Sequence, residues 1–108
     1  MSIESTGKGQ YTVVDAPSEV DIASSNTLRS DIERAISTNP WVIVDLTRVE
    51  FIDSTGLSAL LACHNLATQY GGKLVLVGPS ERTQKLLHIT QLDAVLEIYP
   101  TAESVPNP

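Results

Sequence analysis

Hydrophobic positions along this chain follow two interleaved patterns. Some are short, nearly continuous runs rich in β-branched residues; others are longer stretches whose apolar positions recur every three or four residues. Trp41-Val42-Ile43-Val44-Asp45-Leu46 is of the first kind and reads as a central parallel strand covered on both faces. Lys73-Leu74-Val75-Leu76-Val77-Gly78 reads as a second such strand, and Val95-Leu96-Glu97-Ile98-Tyr99 as a last, short one ended by Pro100. Earlier, residues 11–16 form a strand. The turn signal Gly7-Lys8-Gly9 joins it to a short strand around Ile3, making residues 1–10 an N-terminal hairpin region. Pro17 cannot donate to a ladder, so the run through Ser18-Glu19-Val20 lies at an edge or a bend before Asp21.

The helical period appears three times. Ser24 and Ser25 are good caps for a first helix with Leu28, Ile32, Ala35 and Ile36 on one stripe, stopping at Asn39-Pro40 because the residue before proline avoids the helical region. Leu57, Leu60, Leu61, His64 and Ala67 mark a second helix that begins near Ser54 and ends at Gly71-Gly72. Ser80 caps a third, Glu81 complements its dipole, and Leu86, Leu87 and Ile89 are its core residues. Residues 101–108 have room for at most one turn before Pro106 and read as a frayed tail. Strands alternating with helices predict an α/β fold with a mainly parallel sheet built from right-handed crossovers.

A length of 108 residues makes residues 1–108 a single domain, and 42% hydrophobic against 19% charged residues is the balance of an ordinary globular protein. No apolar run approaches the roughly 20 residues that cross a bilayer, and residues 1–10 are polar with no signal-peptide core, which points to a cytoplasmic site of action and no membrane. The net charge of −6 is uneven: residues 1–53 hold nine acids against four bases. With no Lys/Arg cluster to neutralise phosphates, direct nucleic-acid binding is excluded. An acidic face suits a basic protein partner, and solubility alone accounts for it equally well.

Asp53-Ser54-Thr55-Gly56 is a polar cluster placed where a strand feeds a helix. The amides of a first helical turn lack intrahelical partners and carry partial positive charge, so a hydroxyl there can be phosphorylated with the product partly stabilised locally. The competing reading is a plain cap worth about 1 kcal/mol. Nucleophilic catalysis fits poorly, because the Gly-x-Ser-x-Gly elbow is absent: Ile52 and Gly56 flank the serine. His64 reads as a core or boundary side chain, His88 as a dipole partner, and Cys63 as a small buried apolar group that cannot form an internal disulfide. No paired metal-ligand spacing and no phosphate-cradling Gly-rich loop occurs, so no cofactor is expected.

Residues 42–57, above all Val44-Asp45-Leu46-Thr47 and Phe51-Ile52-Asp53-Ser54-Thr55-Gly56-Leu57, resemble the signature of STAS domains, and of bacterial anti-sigma-factor antagonists in particular. Glu19-Val20-Asp21 with Thr27-Leu28, and Lys85-Leu86-Leu87 with Leu92-Asp93 and Ile98-Tyr99, extend the resemblance over residues 11–100. It implies a single mixed, mainly parallel β-sheet with helices packed on one side, and a switching protein with no catalysis of its own. In that family the unphosphorylated antagonist binds an anti-sigma factor that is also a serine kinase, freeing the sigma factor; phosphorylation of the serine after the aspartate ends binding. A PP2C-type phosphatase is a further implied partner. The matching serine is Ser54, not Thr55, and Asp21 matches the acidic residue that the family places close to it. The implied partner-binding set is Asp21, Asp53, Ser54, Thr55, Gly56 and Leu57. A STAS scaffold or nucleotide-sensing module of a stressosome-type complex is the other role the resemblance allows. The chain departs from the pattern at Ser18 and Gln91, which replace family glycines, and after Thr101, where a C-terminal helix is common. The last departure predicts lost stability and exposure of part of the sheet or of its neighbouring helices.

Overall fold

A strand covered on both faces needs apolar side chains at successive positions, and the middle of this sheet meets that demand. In the computed structural model, which describes residues 3–5 and 10–107, the chain runs β1 (Ile3–Ser5), β2 (Thr12–Asp15), β3 (Glu19–Val20), α1 (Ile22–Thr38), β4 (Trp41–Asp45), β5 (Phe51–Ile52), α2 (Ser54–Gln69), β6 (Lys73–Val77), α3 (Glu81–Ile89) and β7 (Glu97–Tyr99). The main sheet has the order β1-β2-β4-β6-β7. β1 is antiparallel to β2, and the remaining neighbours are parallel, each pair joined through a helix. β1 pairs with β2 as the expected hairpin; its turn, Gly7-Lys8-Gly9, lies outside the described residues.

Alternation along the strands sorts the core into two layers. Val14, Val42, Val44, Leu74 and Leu76 face the helices and meet Leu28, Ile32 and Ile36 of α1, Leu57, Leu60 and Cys63 of α2, and Leu87 of α3. Val13, Ile43, Val75 and Val77 face the other way, where Tyr11, Trp41, Tyr99 and Val105 pack on them instead of helices. The Tyr11 and Trp41 rings meet edge to face at 5.9 Å. The expected arrangement of one mixed, mainly parallel sheet with helices on one side is thus the observed one.

Three local expectations are corrected. Asp21, not Ser24 or Ser25, caps α1: its carboxylate accepts the Ala23 and Ser24 N–H groups, while the Ser24 hydroxyl accepts the Asp21 N–H, a reciprocal box that starts the helix earlier. Ile89 is 75% exposed, because Thr83 and Leu87 occupy the inner face of α3 and Ile89 lies two residues, about half a turn, past Leu87. Residues 101–105 are packed where a frayed tail was expected. Thr101 caps a turn at Ala102–Ser104, and Val105 sits 1% exposed against the helix-free face, covering sheet that was expected to lie open.

Helix ends follow local chemistry. Asn39 closes α1 in an extended conformation before Pro40, and Gly71 follows α2 at φ +82°, where a side chain would be strained. Gln91 adopts φ +62° beyond α3, the left-handed conformation that favours glycine. Gln91→Gly should therefore raise stability by about 0.5–1 kcal/mol, the relief of a left-handed residue less the added chain entropy of glycine. Urea unfolding checks this; an unchanged or lower midpoint contradicts it.

Candidate functional site

β3 and β5 form a two-residue parallel ladder apart from the main sheet, with Glu19 opposite Phe51 and Val20 opposite Ile52. The next residues in register are Asp21 and Asp53, and the Asp53 N–H donates to the Val20 carbonyl at 3.1 Å. Each aspartate caps the helix that follows it. The Asp53 carboxylate accepts from the N–H groups of Thr55 at 2.9 Å and Gly56 at 3.1 Å, as Asp21 does from Ala23 and Ser24 at 3.0 Å. Two helix starts and two carboxylates thereby share one corner of the molecule.

Ser54 is the first residue of α2 and is exposed, and its hydroxyl makes no hydrogen bond among the described residues. Thr55 is half-buried. Gly56 and Leu57, expected in the partner-binding set, are buried, so they shape this surface from beneath rather than present side chains to it. A Cβ on Gly56 would stand 2.7 Å from Val20 Cγ1, 2.8 Å from Ile52 Cγ1 and 2.9 Å from the Val20 carbonyl oxygen. The first turn of α2 rests directly on the small ladder, and only glycine permits that approach.

Hydrogen bonding holds the Asp21 carboxyl below the ordinary carboxylate range: the Ser24 N–H contributes most, then the Ser24 hydroxyl, against a small opposing effect of burial. Burial pushes the Cys63 thiol up to about 11, which keeps it protonated and inert. His64 stands ten residues along α2 from Ser54, about 15 Å by helical rise, too far to act on its hydroxyl. His88 Nδ1 lies 2.9 Å from the Asp93 carboxylate. Among the described residues no group of three or more His, Cys, Asp or Glu side chains could hold a metal, and no helix is long and apolar enough to cross a membrane.

Exposed apolar side chains flank the acidic corner, and the sequence reading missed them. Ile22, next to Asp21, is 72% exposed, and Phe51, two residues before Asp53, is 43% exposed. Phe51 also borders a cleft of about 280 Å³ against α3, together with Leu86, Ile89, Arg82 and Lys85. A signal was available for Ile22, since it falls out of phase with the Leu28 and Ile32 stripe.

A model of the STAS domain matches residues 2–105. The chain belongs to the STAS-domain family. This STAS domain is 40% identical over 55 residues to the anti-sigma-B factor antagonist of Listeria monocytogenes, a match over 51% of this chain and 48% of that protein, so the chain spans about half the length of that curated relative. With the anti-sigma-B factor antagonist of Bacillus subtilis it shares 29% identity over 90 residues, 83% of each chain. The structure of the Bacillus anti-sigma factor antagonist SpoIIAA in its unphosphorylated form superposes with a TM-score of 0.77 over 94% of this chain and 89% of that one, at 22% identity, a likeness of fold; SpoIIAA has a phosphorylated form as well.

Two outcomes test this geometry. Gly56→Ala should cost about 1–2 kcal/mol by crowding the ladder, less than a full overpacking penalty because alanine favours the helix; amide shifts should move at Val20, Ile52 and Ser54. Because the folded Asp21 value is depressed, its contribution to stability is present above the ordinary value and is lost as pH falls through the folded one, below about pH 4. Carboxyl-carbon titration by NMR should find its midpoint below that of an unstructured aspartate. Ser24→Ala should shift that midpoint part of the way back up.

Proposed function

We propose that this STAS domain is an anti-sigma-factor antagonist whose acidic corner binds an anti-sigma factor, and that phosphorylation of Ser54 by that partner's kinase activity ends binding. The observation that carries the reading is the Ser54 hydroxyl itself, exposed and unbonded at the head of α2, beside the two capping aspartates. A kinase needs an oxygen free to attack a phosphoryl group, and an interface needs a rigid frame around it; this corner supplies both. The relatives named as antagonists support the class of partner.

Electrostatics supplies the switch. A phosphate brings about −1.5 to −2 charge and lands beside the carboxylates of the two capping aspartates. The positive end of the helix offsets part of this, typically about 0.3–1 kcal/mol at an exposed site. The helix survives, and the surface becomes repulsive to an acidic or nucleotide-bearing partner. A few kcal/mol is enough, since about 1.4 kcal/mol changes affinity tenfold. Ile22 and Phe51 provide apolar contact that does not change with modification, so charge alone decides the outcome. A PP2C-type phosphatase would reset the corner, where the exposed position leaves the phosphate ester open to attack.

Incubation with the cognate anti-sigma factor and ATP should label Ser54 alone, and Ser54→Ala should abolish the label while keeping the complex on a sizing column. Ser54→Asp should weaken the complex at least tenfold by titration calorimetry. Undiminished label in Ser54→Ala, or equal affinity of the modified and bare forms, refutes the proposal.

A further inference from the structure

The outward side of the small ladder changes character from one edge to the other. Glu19 stands opposite Phe51 in register and both are exposed, whereas Val20 and Ile52 are buried in the core. Beyond Phe51 lies the cleft of about 280 Å³ against α3. Arg82, Lys85, Leu86 and Ile89 border it, at spacings that put all four on one face of the helix. The surface therefore runs from acid on β3, through Phe51 on β5, to two bases on α3. Glu50 borders the cleft as well. None of Glu19, Glu50, Arg82 and Lys85 forms an ion pair among the described residues, so charges of both signs are left uncompensated within the molecule. Phe51 and Ile89, two large apolar side chains, stand exposed across the same cleft, and apolar surface rimmed by charge in this way marks an interaction site.

We infer that this surface binds a second copy of the chain, in an isologous dimer whose two-fold axis passes close to Phe51. A half-turn about that axis exchanges the two flanks, so Glu19 of each copy meets Arg82 and Lys85 of the other, while Phe51, Leu86 and Ile89 of both copies meet in the middle. Such a match of a surface to itself is what a two-fold interface requires, because every contact made once is made again. Burial of the apolar residues supplies the affinity. The ion pairs at the rim are individually weak and serve to fix the orientation. The face is small and each copy carries a net charge of −6, so the dimer is a transient one that forms at high protein concentration. The inference stands apart from the phosphorylation of Ser54 and survives the failure of that reading.

Sedimentation equilibrium of the full chain at physiological salt, from roughly 10 μM to 1 mM, should show the mass rising from monomer toward dimer. Glu19→Lys alone, and Arg82→Glu combined with Lys85→Glu, should each weaken the dimer at least tenfold, since either change sets like charges together twice over. An equimolar mixture of the two variants should dimerise within about threefold of the original chain, because each reversed flank then meets its opposite. That recovery distinguishes a shared interface from damage to either fold. Ile89→Ser, which leaves the charge unaltered, should also weaken the dimer. A chain that stays monomeric throughout, a dimer indifferent to the reversals, or a mixture that associates no more tightly than its components overturns the proposal.

Discussion

Everything at the acidic corner depends on a parallel ladder two residues long. The N–H groups of Glu50 and Phe51 both donate to the Ser18 carbonyl, at 2.7 and 3.1 Å, and that of Asp53 donates to the Val20 carbonyl. Each bond is worth only about 1 kcal/mol net. Three such bonds would not hold two loops together in water, so burial does the rest: Val20 and Ile52 point into the core, and the bare face of Gly56 lies on both. Removing a side chain at position 56 is what lets the core reach the surface loop and fix it. The precision of the corner is thus inherited from apolar packing, although everything it displays to solvent at Asp21, Asp53 and Ser54 is polar.

Placing two carboxylates side by side has a cost, and the magnitudes show why the protein tolerates it. Neighbouring strands run about 4.8 Å apart; two unit charges roughly 6 Å apart in water repel by about 0.7 kcal/mol, less in physiological salt. The four backbone N–H groups that the two carboxylates accept offset that cost. A doubly charged group at a comparable distance adds roughly 1.4 kcal/mol of repulsion against each carboxylate, more than the helix terminus recovers. The bare corner is therefore near the limit of negative charge that its amides can balance. A further negative charge there is opposed first by the corner's own carboxylates.

The main sheet was legible because its signals are local and redundant. The runs at 41–46 and 73–78 have the composition of buried strands, and Asn39-Pro40 and Gly71-Gly72 end helices by backbone geometry alone. The small ladder was not legible as a pairing: two residues carry no period, and the partners lie 32 positions apart, as Val20 and Ile52 do. Ser24-Ser25 looked like a cap because serine is a good one, yet an aspartate three residues ahead of Ser24 forms two bonds where a lone serine forms one. Val105 gave no warning either, since a single valine between prolines reads as tail until the exposed face of a sheet is there to receive it. Ser54 and its neighbours could be read from their motif. The acid at position 21 needed the resemblance, and the apolar rim of Ile22 and Phe51 needed the structure.

One side chain ties the start of α1 to the small ladder. The Ser24 hydroxyl donates to the Glu19 carbonyl at 2.7 Å and accepts the Asp21 N–H at 3.0 Å, so the cap of α1 and the backbone of β3 share a single oxygen. A change that takes this hydroxyl away loosens the cap and the ladder together. Its effect is bounded by what a cap of this kind is worth, about 1 kcal/mol, or roughly a fivefold change in an equilibrium constant. The corner is therefore held by several small bonds set on an apolar base, and no single polar contact decides its shape.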